Sequence, residues 1–281
     1  MDTRPVTVPV ISSRKNSKKK ITALTAYDYS FAKLLDATDL DIILVGDSLG
    51  MVSLGHDNTL AVTMENMIDH TRAVKQGAKR ALVVSDMPFM SYQVSVEQAV
   101  TNAGRLIQDG RASAVKLEGG ARMADRVQAI VQAGIPVMGH IGLTPQSVHQ
   151  FGGYKVQGRN YLDCRQIKQD ARDLQNAGIF ALVLEGIPCE LAEEITAELK
   201  TPTIGIGAGV KCDGQILVLH DLLGLNQDFV PKFVKQYAQL ADHLKNAVVE
   251  YIQEVRTETF PNQEHSYHSK QGKLKKVNDG N

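Results

Sequence analysis

Apolar residues in this chain fall into two alternating textures. Short unbroken runs bounded by Gly, Pro, Asp or Ser read as strands covered on both faces, and longer polar stretches with apolar positions three or four apart read as amphipathic helices. The clearest run, Asp41-Ile-Ile-Leu-Val-Gly-Asp47-Ser48, ends on a carboxylate, and the glycines at 46 and 50 let the chain turn as it leaves a sheet. Ala81 to Asp86, Ala114 to Glu118 and Phe180 to Glu185 repeat the device. Ile21 to Tyr27, Ile135 to His140, Pro202 to Ile206 and Gln215 to His220 complete the predicted strands.

Phe31, Leu34 and Leu35 place a helix over Asp28 to Leu35, and Thr63 with Glu65 close behind reads as the cap of another. Further helices are predicted from Val94 to Asp109, Met123 to Ala133, Tyr161 to Asn176 and Cys189 to Leu199. A last one, from Pro231 to Thr257, carries Val234, Tyr237, Leu240, Leu244, Val248, Tyr251 and Val255 on one stripe. That stripe suits packing on its own domain or an arm laid on a neighbouring subunit.

Strand then helix, repeated over about 250 residues, predicts an α/β fold, a (β/α)8 TIM barrel with a long C-terminal helix. A doubly wound open sheet is the alternative. The two differ in consequence. In a barrel every strand's C-terminal end faces one mouth, so Asp47, Asp86, Glu118 and Glu185 converge, whereas in an open sheet only those beside the switch point meet. The expected layout is a polar lead-in over 1–20, one barrel domain over 21–260 that includes the C-terminal helix, and a tail over 261–281. From about residue 270 the tail's composition predicts disorder.

Composition narrows the class. With 43% hydrophobic residues in 281, the chain can bury the core of one large domain, and 31 Lys plus Arg against 31 Asp plus Glu lack the basic footprint of a nucleic-acid binder. Cys164, Cys189 and Cys212 are odd in number and widely spaced, which fits reduced thiols better than a disulfide framework. The N-terminus lacks a secretory apolar core, and no apolar run approaches the roughly 20 residues of a membrane helix, so a cytoplasmic protein with no membrane partner is expected. The basic run Arg14 to Lys20 reads as a solvated lead-in rather than an anion-binding or targeting patch.

The candidate chemistry sits at the strand ends. Asp47, Asp86 and Glu118 offer hard oxygen donors without a nearby Cys or His pair, which points to Mg²⁺ or a similar ion rather than zinc. Mg²⁺ takes one or two carboxylates and keeps several waters, so the third acid can act through water. Lys116 lies two residues before Glu118 and shares its face, where it suits either a substrate carboxylate or a Schiff base. His140, also at a strand end, suits a general acid/base, a ligand or a structural histidine, and His220 has the same three readings. Gly205-Ile-Gly-Ala-Gly209 suits a phosphate-cradling loop or a plain turn. Two long loops follow strands, Ser48 to Ala61 and Ile141 to Gly158, and the second is the expected cover for a bound ligand. Zinc-protease, P-loop and nucleophile-elbow signatures are absent.

Ordered blocks carry a resemblance over Ile21 to His268: Val45-Gly-Asp-Ser-Leu-Gly50, Gly55-His-Asp57, Asp86-Met-Pro-Phe-Met-Ser-Tyr92, Val115-Lys-Leu-Glu-Gly-Gly120, Gly139-His-Ile-Gly-Leu-Thr-Pro-Gln-Ser147, Phe151-Gly-Gly-Tyr-Lys-Val-Gln-Gly158, Ile204-Gly-Ile-Gly-Ala-Gly209 and Asp213-Gly-Gln215. Together they resemble the ketopantoate hydroxymethyltransferase (3-methyl-2-oxobutanoate hydroxymethyltransferase) family. The resemblance implies a barrel akin to the phosphoenolpyruvate mutase and isocitrate lyase group, and formation of ketopantoate on the route to pantothenate and coenzyme A. It also implies 5,10-methylenetetrahydrofolate as one-carbon donor, one Mg²⁺ per subunit, a Mg-stabilised enolate and a homo-oligomer, a decamer.

Carried over by motif, the metal positions match Asp47, Asp86 and Glu118, the oxo-acid contacts match Asp47, Ser48, Asp86 and Lys116, and the catalytic base matches Glu185. Three departures stand out: Ala61 where proline is common, Gly186 after the base where Cys or Ala is frequent, and the tail beyond His268. Two rivals remain, a C–C lyase of the same superfamily and a non-catalytic ligand-binding barrel. The first would want more cationic groups and a cysteine acid, and the second would be expected to have lost an acid.

Overall fold

A computed structural model describes residues 4–227 and 230–268. The strands are β1 (Ile21–Thr25), β2 (Ile42–Val45), β3 (Leu82–Asp86), β4 (Ala114–Glu118), β5 (Val137–Gly142), β6 (Ala181–Glu185), β7 (Thr203–Ile206) and β8 (Gly214–Leu217). All neighbouring pairs are parallel, and β8 returns to pair with β1, so the sheet closes into a barrel. The helices are α1 (Val8–Ser12), α2 (Tyr29–Asp36), α3 (Leu49–Val52), α4 (Met64–Gly77), α5 (Val96–Gln108), α6 (Ala124–Gln132), α7 (Val148–Phe151), α8 (Tyr161–Asn176), α9 (Cys189–Glu198), α10 (Leu219–Leu222) and α11 (Leu240–Arg256). The open-sheet alternative is thereby excluded.

Strand parity divides the apolar residues into two layers. Ile43, Val45, Val83, Val115, Leu117, Leu182 and Leu184 join the cluster that faces the helices. Ile42, Leu44, Leu82, Val84, Ala114, Met138, Val183, Ile204 and Ile216 fill the barrel interior. Asp86, Lys116, Glu118, His140 and Glu185 share the interior parity, one or two steps nearer the C-terminal ends. The interior is thus apolar at one end and ionisable at the other.

Four local readings differ from the sequence expectations. The lead-in is solvated only in part: Lys18, Lys19 and Lys20 are exposed, but Val6 and Ile11 join the interior cluster at the N-terminal end of the barrel, and Arg14 and Lys15 are partly buried. Lys15 Nζ donates to Asp213 Oδ2 at 2.9 Å and to the Thr196 carbonyl, while Lys20 Nζ reaches the Cys212 carbonyl at 2.8 Å. Acceptors just before β8 and near the end of α9 capture these ammonium groups.

The last helix begins at Leu240 rather than Pro231, because the preceding segment spends its donors elsewhere: Tyr237 N–H donates to the Leu222 carbonyl and Leu240 N–H to that of Leu223. β8 ends at Leu217, so His220 lies on the single turn of α10. Finally, the cap of α4 pairs Thr63 with Asn66, not Glu65.

No helix separates β7 from β8 among the described residues. The glycine-rich loop between them therefore has no helix N-terminus to offer a phosphate. Its glycines serve close approach instead: a Cβ at Gly207 would stand 2.8 Å from the Phe233 ring, and one at Gly209 2.5 Å from Cys189 Cβ. α11 stands off the barrel, with only Ala241 buried. No helix is long and apolar enough to cross a membrane among the described residues. The predicted disorder beyond residue 270 lies outside the described residues.

Candidate active site

Closure and register assemble the mouth. Parallel pairing places Asp86 beside Lys116 and Glu118 beside His140 on neighbouring strands. Lys116 Nζ lies 2.6 Å from Asp86 Oδ1, with both side chains almost wholly buried. The other oxygen, Asp86 Oδ2, accepts the Asp47 backbone N–H at 3.0 Å. This bond holds the chain leaving β2 against the end of β3, which brings Asp47 to the second acid.

His140 stands between two acids. Its Nδ1 is 3.3 Å from Glu118 Oε1 and its Nε2 is 3.2 Å from Glu185 Oε2. Neither nitrogen makes an aligned hydrogen bond, so the contact is ionic in character. Burial and the Lys116 charge push its pKa down, yet the two carboxylates more than offset them and raise it to about 9. His140 is therefore a cation at neutral pH and forms a charge link between β4 and β6.

The remaining titrations follow from the same crowding. Asp47 is pushed well above the usual carboxylate range by burial and by the charges of Asp86 and Glu118. Asp86 is raised by burial, with Lys116 offsetting part of the cost. Glu118 is lowered although burial opposes this, because His140, Lys116 and the Gln146 backbone N–H favour its ionised form. Lys116 is raised against burial by the acids around it, which keeps it protonated. A protonated amine is a poor imine-forming nucleophile, so the Schiff-base reading loses its support.

Ser48 Oγ sits 2.9 Å from Tyr27 OH, a phenol that burial keeps un-ionised. Glu185 is the most open of the acids, at 16% side-chain exposure. Its carbonyl accepts the Leu143 N–H at 2.8 Å, and Gly186 after it donates to the Ile206 carbonyl and accepts from Gln157 N–H, both at 2.9 Å. Gly186 has φ +55°, a conformation that an Ala or Cys adopts only under strain. The glycine after Glu185 thus makes a turn tied on both sides.

Three residues that sequence reasoning did not single out complete the mouth: Tyr27, Tyr92 and Gln146. Gln146 Nε2 donates to Asp47 Oδ2 at 2.8 Å, and its backbone N–H to Glu118 Oε2 at 3.0 Å. Tyr92 OH accepts the Glu118 N–H at 3.2 Å and lies 2.7 Å from Gln146 Oε1. Tyr92 and Gln146 come from connections, whose hydrogen-bond partners no periodicity reveals; their only sequence signal was membership of the blocks quoted above.

Among the described residues no three His, Cys, Asp or Glu side chains already stand at mutual ligand spacing. Asp47 and Asp86 nonetheless meet at the mouth as hard oxygen donors, and each is raised in pKa by the burial of its charge. Two carboxylates and several waters are what Mg²⁺ takes. The donor set fits.

Comparisons with known proteins bear on the family and the fold. The family model described as ketopantoate hydroxymethyltransferase matches residues 5–263. The 3-methyl-2-oxobutanoate hydroxymethyltransferase of Pelobacter propionicus is 58% identical over 264 residues, covering 94% of this chain and 98% of that one. The protein of the same name from Clostridioides difficile is 55% identical, with 96% and 98% covered. Among solved structures, phosphonopyruvate hydrolase with oxalate and Mg²⁺ superposes with a TM-score of 0.60 at 12% identity, covering 92% of each chain. Phosphoenolpyruvate phosphomutase from Streptomyces platensis gives 0.61 at 11%, with 90% and 88% covered. At those identities the likeness shows the fold.

Proposed function

Because the chain belongs to the ketopantoate hydroxymethyltransferase family, we propose that it transfers a hydroxymethyl group from 5,10-methylenetetrahydrofolate to 3-methyl-2-oxobutanoate. The product is 2-dehydropantoate, and the step belongs to pantothenate and coenzyme A biosynthesis. One water is consumed and tetrahydrofolate is released. The observation that carries the reading is the convergence of Asp47, Asp86, Lys116, Glu118, His140 and Glu185 within one buried mouth.

Asp47 and Asp86 would hold a Mg²⁺ ion directly, with Glu118 acting through water. When bound, the ion supplies Lewis-acid polarisation of a 2-oxo acid's ketone. The chain's own groups do the rest. Lys116 stays charged within the acid cluster and offers a cation to the substrate carboxylate, and Ser48, braced by Tyr27, offers a hydroxyl to the same substrate. Glu185 removes the proton from C3, and the carbon so activated attacks the methylene carbon of the folate. His140 sits against the Glu185 carboxylate and holds it in place at the mouth.

The same proposal includes a cytoplasmic location, a single barrel domain over 21–260 and a homo-oligomer of decamer size. The assembly is supported by α11, whose Leu244, Val248, Val249, Tyr251 and Val255 are exposed. A lone protomer would leave that stripe in water at a cost set by its apolar area.

The test is turnover of 3-methyl-2-oxobutanoate with methylenetetrahydrofolate, with and without EDTA. Ketopantoate formation that EDTA abolishes and Mg²⁺ restores is expected. No turnover with metal and folate supplied would overturn the reading.

A further inference from the structure

The Gln146 carboxamide is a buried polar group with every hydrogen-bonding position filled. Nε2 lies 2.8 Å from Asp47 Oδ2 and 3.0 Å from the Met87 carbonyl; Oε1 lies 2.7 Å from Tyr92 OH and 3.2 Å from Gln93 Nε2. Its orientation follows from chemistry. The Met87 carbonyl can only accept, so the nitrogen faces it and Asp47. Tyr92 accepts the Glu118 backbone N–H, and its own proton goes to Oε1 at 2.7 Å in preference to the Glu118 carbonyl at 3.1 Å. A flipped amide would set oxygen against a carbonyl and a carboxylate, and nitrogen against the Gln93 amide.

Gln146 therefore occupies one oxygen of Asp47 and leaves Oδ1 without a hydrogen bond among the described residues. Through Tyr92 the same amide is tied to the β4 end that carries Glu118. Asp47 and Gln146 are 99 residues apart in sequence, so this clamp exists only in the closed barrel.

We infer that Gln146 is a positioning residue that aims the Asp47 carboxylate, and thereby sets the affinity of the mouth for a divalent cation. The inference rests on the metal reading given above. Groups that orient a ligand typically contribute 10- to 100-fold in metal affinity. Tyr92 acts one step further out, by holding the amide in its one satisfied orientation.

The experiment measures Mn²⁺ affinity of the metal-stripped full-length protein by EPR titration, for the parent, Gln146→Met, Tyr92→Phe, Asp47→Asn and the Asp47→Asn/Gln146→Met double variant. Circular dichroism checks the fold. Expected is an affinity roughly 10- to 100-fold weaker in Gln146→Met and about fivefold weaker in Tyr92→Phe, the factor of one neutral hydrogen bond. In the Asp47→Asn background Gln146→Met should have little further effect. Saturating Mn²⁺ should return Gln146→Met to the parent kcat, which a general loss of packing would not allow.

If both single variants bind within about twofold of the parent, below what one hydrogen bond contributes, the inference is wrong. Should Gln146→Met fail to fold, Tyr92→Phe alone decides by the same criterion. A parent that binds no Mn²⁺ sinks the metal reading itself, which is a separate outcome.

Discussion

Lys116→Met isolates the buried pair on which the mouth's charge balance rests. Lys116 Nζ and Asp86 Oδ1 are 2.6 Å apart, with side chains 5% and 4% exposed. At an effective dielectric of 20 that separation corresponds to an attraction of about 6 kcal/mol. Methionine keeps most of the length and removes the charge, leaving Asp86 buried without its partner. Protonation of Asp86 limits the damage. From the reference value of 3.8, neutralising a carboxyl at pH 7 costs about 4 kcal/mol; burial already raises Asp86 in the parent, so that figure is the ceiling of the loss. The ceiling lies within the 3–5 kcal/mol typical of breaking a buried ion pair.

The sign of the pH dependence follows. In the variant the folded-state pKa of Asp86 rises above the unfolded value, so between the two the folded state binds the extra proton, and stability returns as pH falls. The cost should shrink further at pH 5, to a ceiling of about 2 kcal/mol. Urea unfolding of EDTA-stripped protein at one protomer concentration, at pH 7 and pH 5, measures it, with Lys116→Met/Asp86→Asn expected to recover most of the loss. A variant less stable by under about 1 kcal/mol at pH 7, the size of an exposed ion pair, or equally destabilised at both pH values, would refute the reasoning.

Glu185→Gln should retain substrate binding by calorimetry but lose about 10² to 10⁴ in the exchange of the substrate C3 hydrogen in D₂O followed by NMR; exchange at the parent rate would mean that another residue is the base. Asp47→Ala and Asp86→Ala should each lose metal-dependent turnover while keeping the fold by circular dichroism, Asp86→Ala with lowered stability because it leaves Lys116 buried without its partner. Unchanged metal affinity in both would place the site elsewhere. Leu244→Asp with Val248→Asp should lower the mass seen by light scattering at micromolar concentration, and a parent that is already monomeric there would remove the assembly from the proposal.

Much of this protein was legible in the order of its residues. The unbroken apolar runs and their alternation with helical stretches specified a parallel α/β chain, because a strand covered on both faces needs apolar side chains on both faces. Strand parity, a purely local property, also placed Lys116 and Glu118 on one face. The acids at the strand ends and the blocks around them pointed to the family.

Only the tertiary structure decided who touches whom. Whether the sheet closes depends on β8 finding β1, a pairing between chain ends that no local pattern encodes. Closure then turned His140 from an open choice into a cation between Glu118 and Glu185, and brought Gln146 and Tyr92 from their loops to acids far off in sequence. The same non-local competition set the start of α11, where Leu222 and Leu223 carbonyls take donors that a continuous helix would have used, and drew Lys15 from solvent onto Asp213. Periodicity reports which face a residue shows; hydrogen-bond partners and electrostatic neighbours are chosen by where the folded chain brings distant segments together.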